Sequence, residues 1–258
     1  MGSADESRDR PRADKVSPGG SGIYRYEEPA DEGWRPPAEY GKYAEEIIEQ
    51  FDMIFPERER IVFHEIVSDL VHIDVNIMKP AEQADFYVIY TTGMSDLPMT
   101  LPEEIADRDD LRYAEIFLLM PSSWNPGKIG QSAEEIPASE FWPIHMVKFL
   151  ARFPHEFHTW LGWGHTMPNG PDYAPICEGT TMGGVVLSQF DGNIGGFETE
   201  DGTQINFLMM IPAYQEEIEY KLKYGMQELD KRYNEGKMSM VTDIHRENFC
   251  KEFKEKLD

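Results

Sequence analysis

"LVHIDVNIM", residues 70–78, alternates without a break: Val71, Ile73, Val75 and Ile77 fall on one face, and His72, Asp74 and Asn76 on the other. A period of two belongs to a strand with one face in a core and the other near water. Further along, "DFYVIYTT" (85–92) and "LRYAEIFLLMP" (111–121) are rich in β-branched and aromatic residues and are bounded by Gly93 and Pro121, as strands usually are. "GGVVLSQF" (183–190) and "QINFLMMIP" (204–212) add two more strands. Helical spacing brackets this run. Tyr43, Ile47, Phe51 and Ile54 recur at steps of four, four and three within "EYGKYAEEIIEQFDMI" (39–54), before Pro56. Trp142, Met146, Phe149 and Leu150 place a second helix from about Ser139 to Arg152, with Pro154 as its end.

The stretch "YQEEIEYKLKYGMQELDKRYNE" (214–235) sets Tyr214, Ile218, Leu222 and Leu229 on one stripe. Its pairs Glu217/Lys221, Glu219/Lys223 and Glu228/Arg232 lie four apart, which assigns them to a solvent face, and Gly225 is a point of breakage. With no βαβ alternation and no internal repeat, the fold class is α+β, a central mixed or antiparallel sheet flanked by helices. The expected boundaries are a disordered tail through residue 22 and a surface arm to residue 38, a domain over 39–240, and a charged C-terminal segment over 241–258.

Composition narrows the function. Forty-eight acidic side chains against twenty-four basic ones give a net charge of −24, so binding to nucleic-acid phosphates is opposed by the whole surface field. The same field attracts a basic partner, although abundant carboxylates also serve solubility. Two cysteines, Cys177 and Cys250, lie far apart and form no CxxC, which argues against a disulfide framework or zinc ribbon. Cys177 in "APICEG" reads as a small buried apolar residue, because no neighbour in sequence activates it. Apolar runs such as "IFLLM" before Pro121 fall far short of the roughly 20 residues that span a bilayer. The N-terminus lacks the order of a secretion signal, so a cytoplasmic setting is expected.

The most chemical stretch is "FPHEFHTWLGWGHTMPNG" (153–170). Zincins use HExxH because two histidines four apart on a helix meet one zinc while the glutamate works on its water. Here the order is His155, Glu156, Phe157, His158, a spacing of three. A metal-dependent hydrolase with His155, His158 and His165 as ligands and Glu156 as base is the enzymatic reading. Its rival is a rigid turn, with Trp160 and Trp163 as packing aromatics and the glycines permitting close backbone approach. No GxSxG or phosphate-binding loop is present, and no cofactor box stands out. His72 and Asp74 share a strand face, which reads as a wet or helix-covered surface. The acidic "LPEEIADRDD" (101–110) reads as a solvated loop. In "TTGMSDLPMTLP" (91–102), two methionines around Ser95 and Asp96 suit a core and an adaptable binding surface equally.

Taken in order, "VHIDVNIMKP", "TTGMSDLPMTLPEE", "RYAEIFLLMPSSW", "FWPIHMVKFLARFPHEFHTWLGWGHTMPNG" and "FLMMIPAYQEEIEYKLKYG" resemble the suppressor-of-fused domain family over about residues 40–235. The resemblance implies an α+β domain without recognised catalytic apparatus, here in a single-lobed, bacterial-type form. Animal members are two-lobed regulators that bind a segment of Gli-type transcription factors; a groove between two lobes has no counterpart in one lobe. For bacterial members the resemblance implies proposed immunity proteins that neutralise toxins. The expected function is therefore non-enzymatic binding of another polypeptide, either a basic toxin domain or a peptide segment added to a sheet edge. No catalytic residue, metal or cofactor is assigned, and neither nucleic acid nor membrane is expected as a partner. Met94, Asp96, Trp163 and His165 are the candidate partner-binding residues, because methionine, tryptophan and a few polar groups on rigid loops are common interface anchors.

Overall fold

The computed structural model describes residues 10–27, 33–126 and 138–253. Eight strands form one sheet, in the order β3 (Arg60–Phe63), β4 (Asp74–Met78), β5 (Phe86–Thr92), β6 (Tyr113–Pro121), β10 (Gln204–Ala213), β8 (Gly184–Ser188) and β7 (Thr166–Pro168), with β9 (Gly196–Glu198) pairing β10 off this path. Every pairing is antiparallel except that of β6 with β10, so the sheet is mixed. Helix α2 (Ala138–Glu156) covers one face; α1 (Ala44–Ile54), α3 (Gln215–Tyr224) and α4 (Met226–Glu235) cover the other.

The strand alternation sorts side chains between these layers. Val71, Ile73, Val75 and Ile77 enter the core under α2, together with Ile116 and Leu118 of β6. Of the two expectations for the opposite face of β4, wet or helix-covered, the second holds. Asn76 and Met78 are buried there, because α1 lies across the sheet. Phe51 of α1 stacks on Tyr90 at 3.9 Å and lies 4.6 Å from Phe207. Burying such an aromatic contributes about 2–3 kcal/mol.

Two boundaries depart from expectation for visible reasons. Pro154 does not end α2, which runs on to Glu156. The stop comes at His158, whose φ of 47° is left-handed; Thr159 N–H then reaches back to the Pro154 carbonyl at 2.9 Å, closing the helix as a Schellman turn does. Residues 10–22 are not a disordered tail. They carry the hairpin β1 (Lys15–Val16) and β2 (Gly22–Ile23), tied down by Gly19 N–H to the Leu222 carbonyl at 2.8 Å. The arm that follows seats Tyr26 against Phe153 and Phe157, its hydroxyl 2.7 Å from Thr159 Oγ1. Residues 1–9 lie outside the described residues.

The helix pair breaks at Gly225, where φ is 92°, yet Glu217, Glu219 and Lys221 are buried rather than facing solvent. The segment after residue 240 packs over Glu217, and Glu219 lies by the Tyr173 hydroxyl at 3.4 Å. Arg246 clamps Glu217 with both terminal nitrogens at 2.6 Å, and Phe249 N–H bonds the same carboxylate. The part of the C-terminal segment that is described, through residue 253, is therefore docked onto the domain.

Candidate functional site: two motif loops joined in the core

The segments "TTGMSDLPM" and "FPHEFHTWLGWGHT", some sixty residues apart in sequence, meet in space. The first is organised by Glu115 of β6, fully buried within an apolar strand. One carboxylate oxygen accepts Gly93 N–H (3.1 Å), Ser95 N–H (3.0 Å) and Ser95 Oγ–H (2.6 Å); the other accepts Thr91 Oγ–H at 2.7 Å. Burial drives the Glu115 pKa up to about 7, against these hydrogen bonds, which favour the ionised form. Gly93 is required here. Its φ is 105°, and a Cβ would stand 1.9 Å from the His72 carbonyl oxygen.

The loop is pinned on its other sides as well. His155, in the last turn of α2, donates from Nε2 to the Met94 carbonyl at 2.8 Å. Asp96 accepts the N–H groups of Gly41 (2.6 Å) and Lys42 (2.8 Å) just ahead of α1, while burial raises its pKa. Thr100 N–H bonds the Thr159 carbonyl at 3.0 Å, and Leu161 N–H meets Met99 Sδ at 3.3 Å. The second segment then turns through Gly162 and Gly164. Trp160 folds back over Gly162, and its ring meets that of His165 edge-on at 4.3 Å. Burial lowers the pKa of both His155 and His165 to about 4, which keeps the two rings neutral at physiological pH.

Each histidine of the enzymatic reading is thus occupied separately. His155 serves the Met94 carbonyl, His158 is the exposed reversal residue at the end of α2, and His165 packs on Trp160. Glu156 lies 3.7 Å from Arg152. Among the described residues, no group of three or more His, Cys, Asp or Glu side chains is placed to hold a metal ion. His72 and Asp74 do share a polar cluster: His72 Nε2 is 2.8 Å and His64 Nδ1 2.9 Å from the Asp74 carboxylate.

Of the four candidate partner-binding residues, Met94 and Asp96 are buried inside the joined loops, and His165 is only partly exposed. Trp163 is the one with a large exposed side chain, at 44%. Glu115 is not among the sequence candidates, although one carboxylate inside "YAEIFLLMP" is the signal: a charge in a strand buried on both faces must be buried with partners.

With this arrangement in view, the comparisons with known proteins fall into place. Residues 69–247 match the family described as Suppressor of fused protein (SUFU), and the chain belongs to that family. Solved structures share its fold. A putative SUFU homolog from Neisseria gonorrhoeae superposes with a TM-score of 0.56 at 14% identity, covering 80% of this chain and 96% of that one. A chain of the Sufu–Fu complex gives 0.56 at 12% identity, covering 87% and 100%. Drosophila Suppressor of Fused gives 0.54 at 12%, covering 80% of this chain but only 51% of its own length. A search of curated proteins by sequence found no match. No helix among the described residues is long and apolar enough to cross a membrane.

Proposed function

We propose that this protein is a non-enzymatic domain that binds another polypeptide. The observation that carries the reading is family membership over residues 69–247, in a family with a solved structure that is itself a complex, that of Sufu with Fu. The residues that resemble a catalytic set support it, because they do not converge: His155 bonds the Met94 carbonyl, His165 packs on Trp160, Glu156 lies by Arg152 and His158 is exposed. In its finer form the partner is basic, as a toxin domain neutralised in the cytoplasm would be: a surface of net charge −24 speeds encounter with a positive chain. Of the four candidate residues Trp163 alone offers a large exposed side chain, while Met94 and Asp96 hold the adjoining backbone in shape.

The test uses the full chain as bait in extract of its native cells, followed by reconstitution with the purified candidate. A defined complex whose association rate falls with added salt is the expected result. Failure to recover any partner, together with hydrolytic activity that disappears in His155→Ala, would reverse the assignment.

A further inference from the structure

We infer that the exposed apolar cluster of Trp34, Tyr40, Ile66 and Val67 is a docking surface for a polypeptide segment that carries an apolar anchor flanked by lysine or arginine. The inference rests on the polypeptide-binding reading above and adds the place and the chemistry.

Residues 64–73 reverse the chain between β3 and β4. Turns of this kind are ordinarily built from Gly, Pro, Asn, Asp and Ser, but the tip here is Ile66-Val67, 96% and 75% exposed. Beside it stand Trp34 and Tyr40, each 68% exposed. Scattered single apolar residues on a surface need no explanation, whereas four gathered round one loop do. No core role accounts for them, since both faces of the sheet are filled by other residues.

Hydrogen bonds and a ring contact fix Trp34, Tyr40 and the base of the loop. Trp34 Nε1 donates to the Ser68 carbonyl at 2.8 Å, Leu70 N–H to the Arg35 carbonyl at 2.7 Å, and Arg35 N–H to Asp69 at 2.5 Å. The Tyr40 ring lies 4.3 Å from that of His72, which is fixed by Ser68 Oγ at 2.6 Å and Asp74 at 2.8 Å. Leu70 sits at φ 64°, a left-handed conformation that costs free energy in a branched residue and persists only where neighbours enforce it. Side chains fixed before contact lose little entropy on binding, and tryptophan and tyrosine are the commonest energetic anchors of interfaces.

Charge selects the partner's flanks. The cations around the cluster are already engaged: Arg35 lies 3.5 Å from Asp69, while Lys148 and Arg152 each hold Glu65 at 2.7 Å. The exposed Glu39, between Trp34 and Tyr40 in sequence, adds a carboxylate to a molecule of net charge −24. An approaching Lys or Arg gains, and an acidic segment is repelled.

The experiment selects displayed random 12-residue peptides on the immobilised full chain, then titrates synthetic copies of the winners against wild type and variants by fluorescence anisotropy. Winners pairing an apolar residue with neighbouring Lys or Arg are expected. Their affinity should fall tenfold or more in Ile66→Asp and in Trp34→Ala, and less than twofold in Met53→Ala, a comparably exposed apolar side chain on α1. Ile66 touches almost nothing, so Ile66→Asp should keep the wild-type melting temperature, which separates lost binding from lost folding. Winners that bind Ile66→Asp as tightly as wild type, winners without basic flanks, or a selection that enriches nothing would each overturn the inference. The broader reading then stands or falls separately, on whether the cellular bait experiment recovers a partner.

Discussion

The joined loops at Glu115 and the turn at Ile66 differ in a way that residue types alone conceal. The first region holds histidines, acids, tryptophans and glycines, the vocabulary of catalysis, yet Glu115 accepts four hydrogen bonds and His155 spends its N–H on a carbonyl. The second is spelled in plain apolar residues that nothing in the fold requires, held outward by hydrogen bonds from the flanking chain. Chemical potential belongs to groups left unsatisfied or exposed; a polar group whose partners are all internal is scaffold.

Breaking the first region should cost most. Gly93→Ala forces a Cβ against the His72 carbonyl and a side chain into a left-handed backbone, so a loss of about 4 kcal/mol or outright failure to fold is expected in urea unfolding. Glu115→Ala leaves the N–H groups of Gly93 and Ser95 buried without an acceptor, for an expected loss of about 3 kcal/mol.

The pH dependence of stability sharpens the same point. His155 and His165 stay neutral in the fold to about pH 4 but protonate at 6.5 when unfolded, so their contribution is lost as pH falls from 6.5 toward 4. Glu115 works the other way. It keeps its proton to about pH 7 in the fold against 4.5 unfolded, so its contribution is lost as pH rises through 7. Between 4.5 and 6.5 two protons oppose one, and stability should fall by roughly 1.4 kcal/mol per pH unit on acidification, with roughly twice that slope in Glu115→Gln. Denaturant midpoints at several pH values check both slopes; a shallower Glu115→Gln slope would remove Glu115 from the account. At the far end of the scale, Ile66→Asp should shift stability by less than about 0.5 kcal/mol, since the side chain touches almost nothing.

What the sequence made legible followed period and punctuation. The face of Val71, Ile73, Val75 and Ile77, the stripe of Tyr43, Ile47 and Phe51, and the break at Gly225 all stand where spacing put them. What it concealed depended on distant segments. Asn76 is buried because α1 crosses its strand, Glu217 because Arg246 returns twenty-nine residues later, and residues 10–22 are ordered because Leu222 offers a carbonyl. The joining of the two motif loops through His155, Thr159 and Leu161 is hidden for the same reason, as is the exposure of Ile66, which depends on the rest of the core being already full.

The most direct test of the account is hydrogen exchange on the complex reconstituted with the recovered partner polypeptide. Amides of residues 93–99 and 157–161 should already be among the slowest in the free protein and change little, while residues 34–40 and 64–70 gain protection. Protection gained at the first two segments and absent from the last two would show that the joined loops are the binding site and not its scaffold.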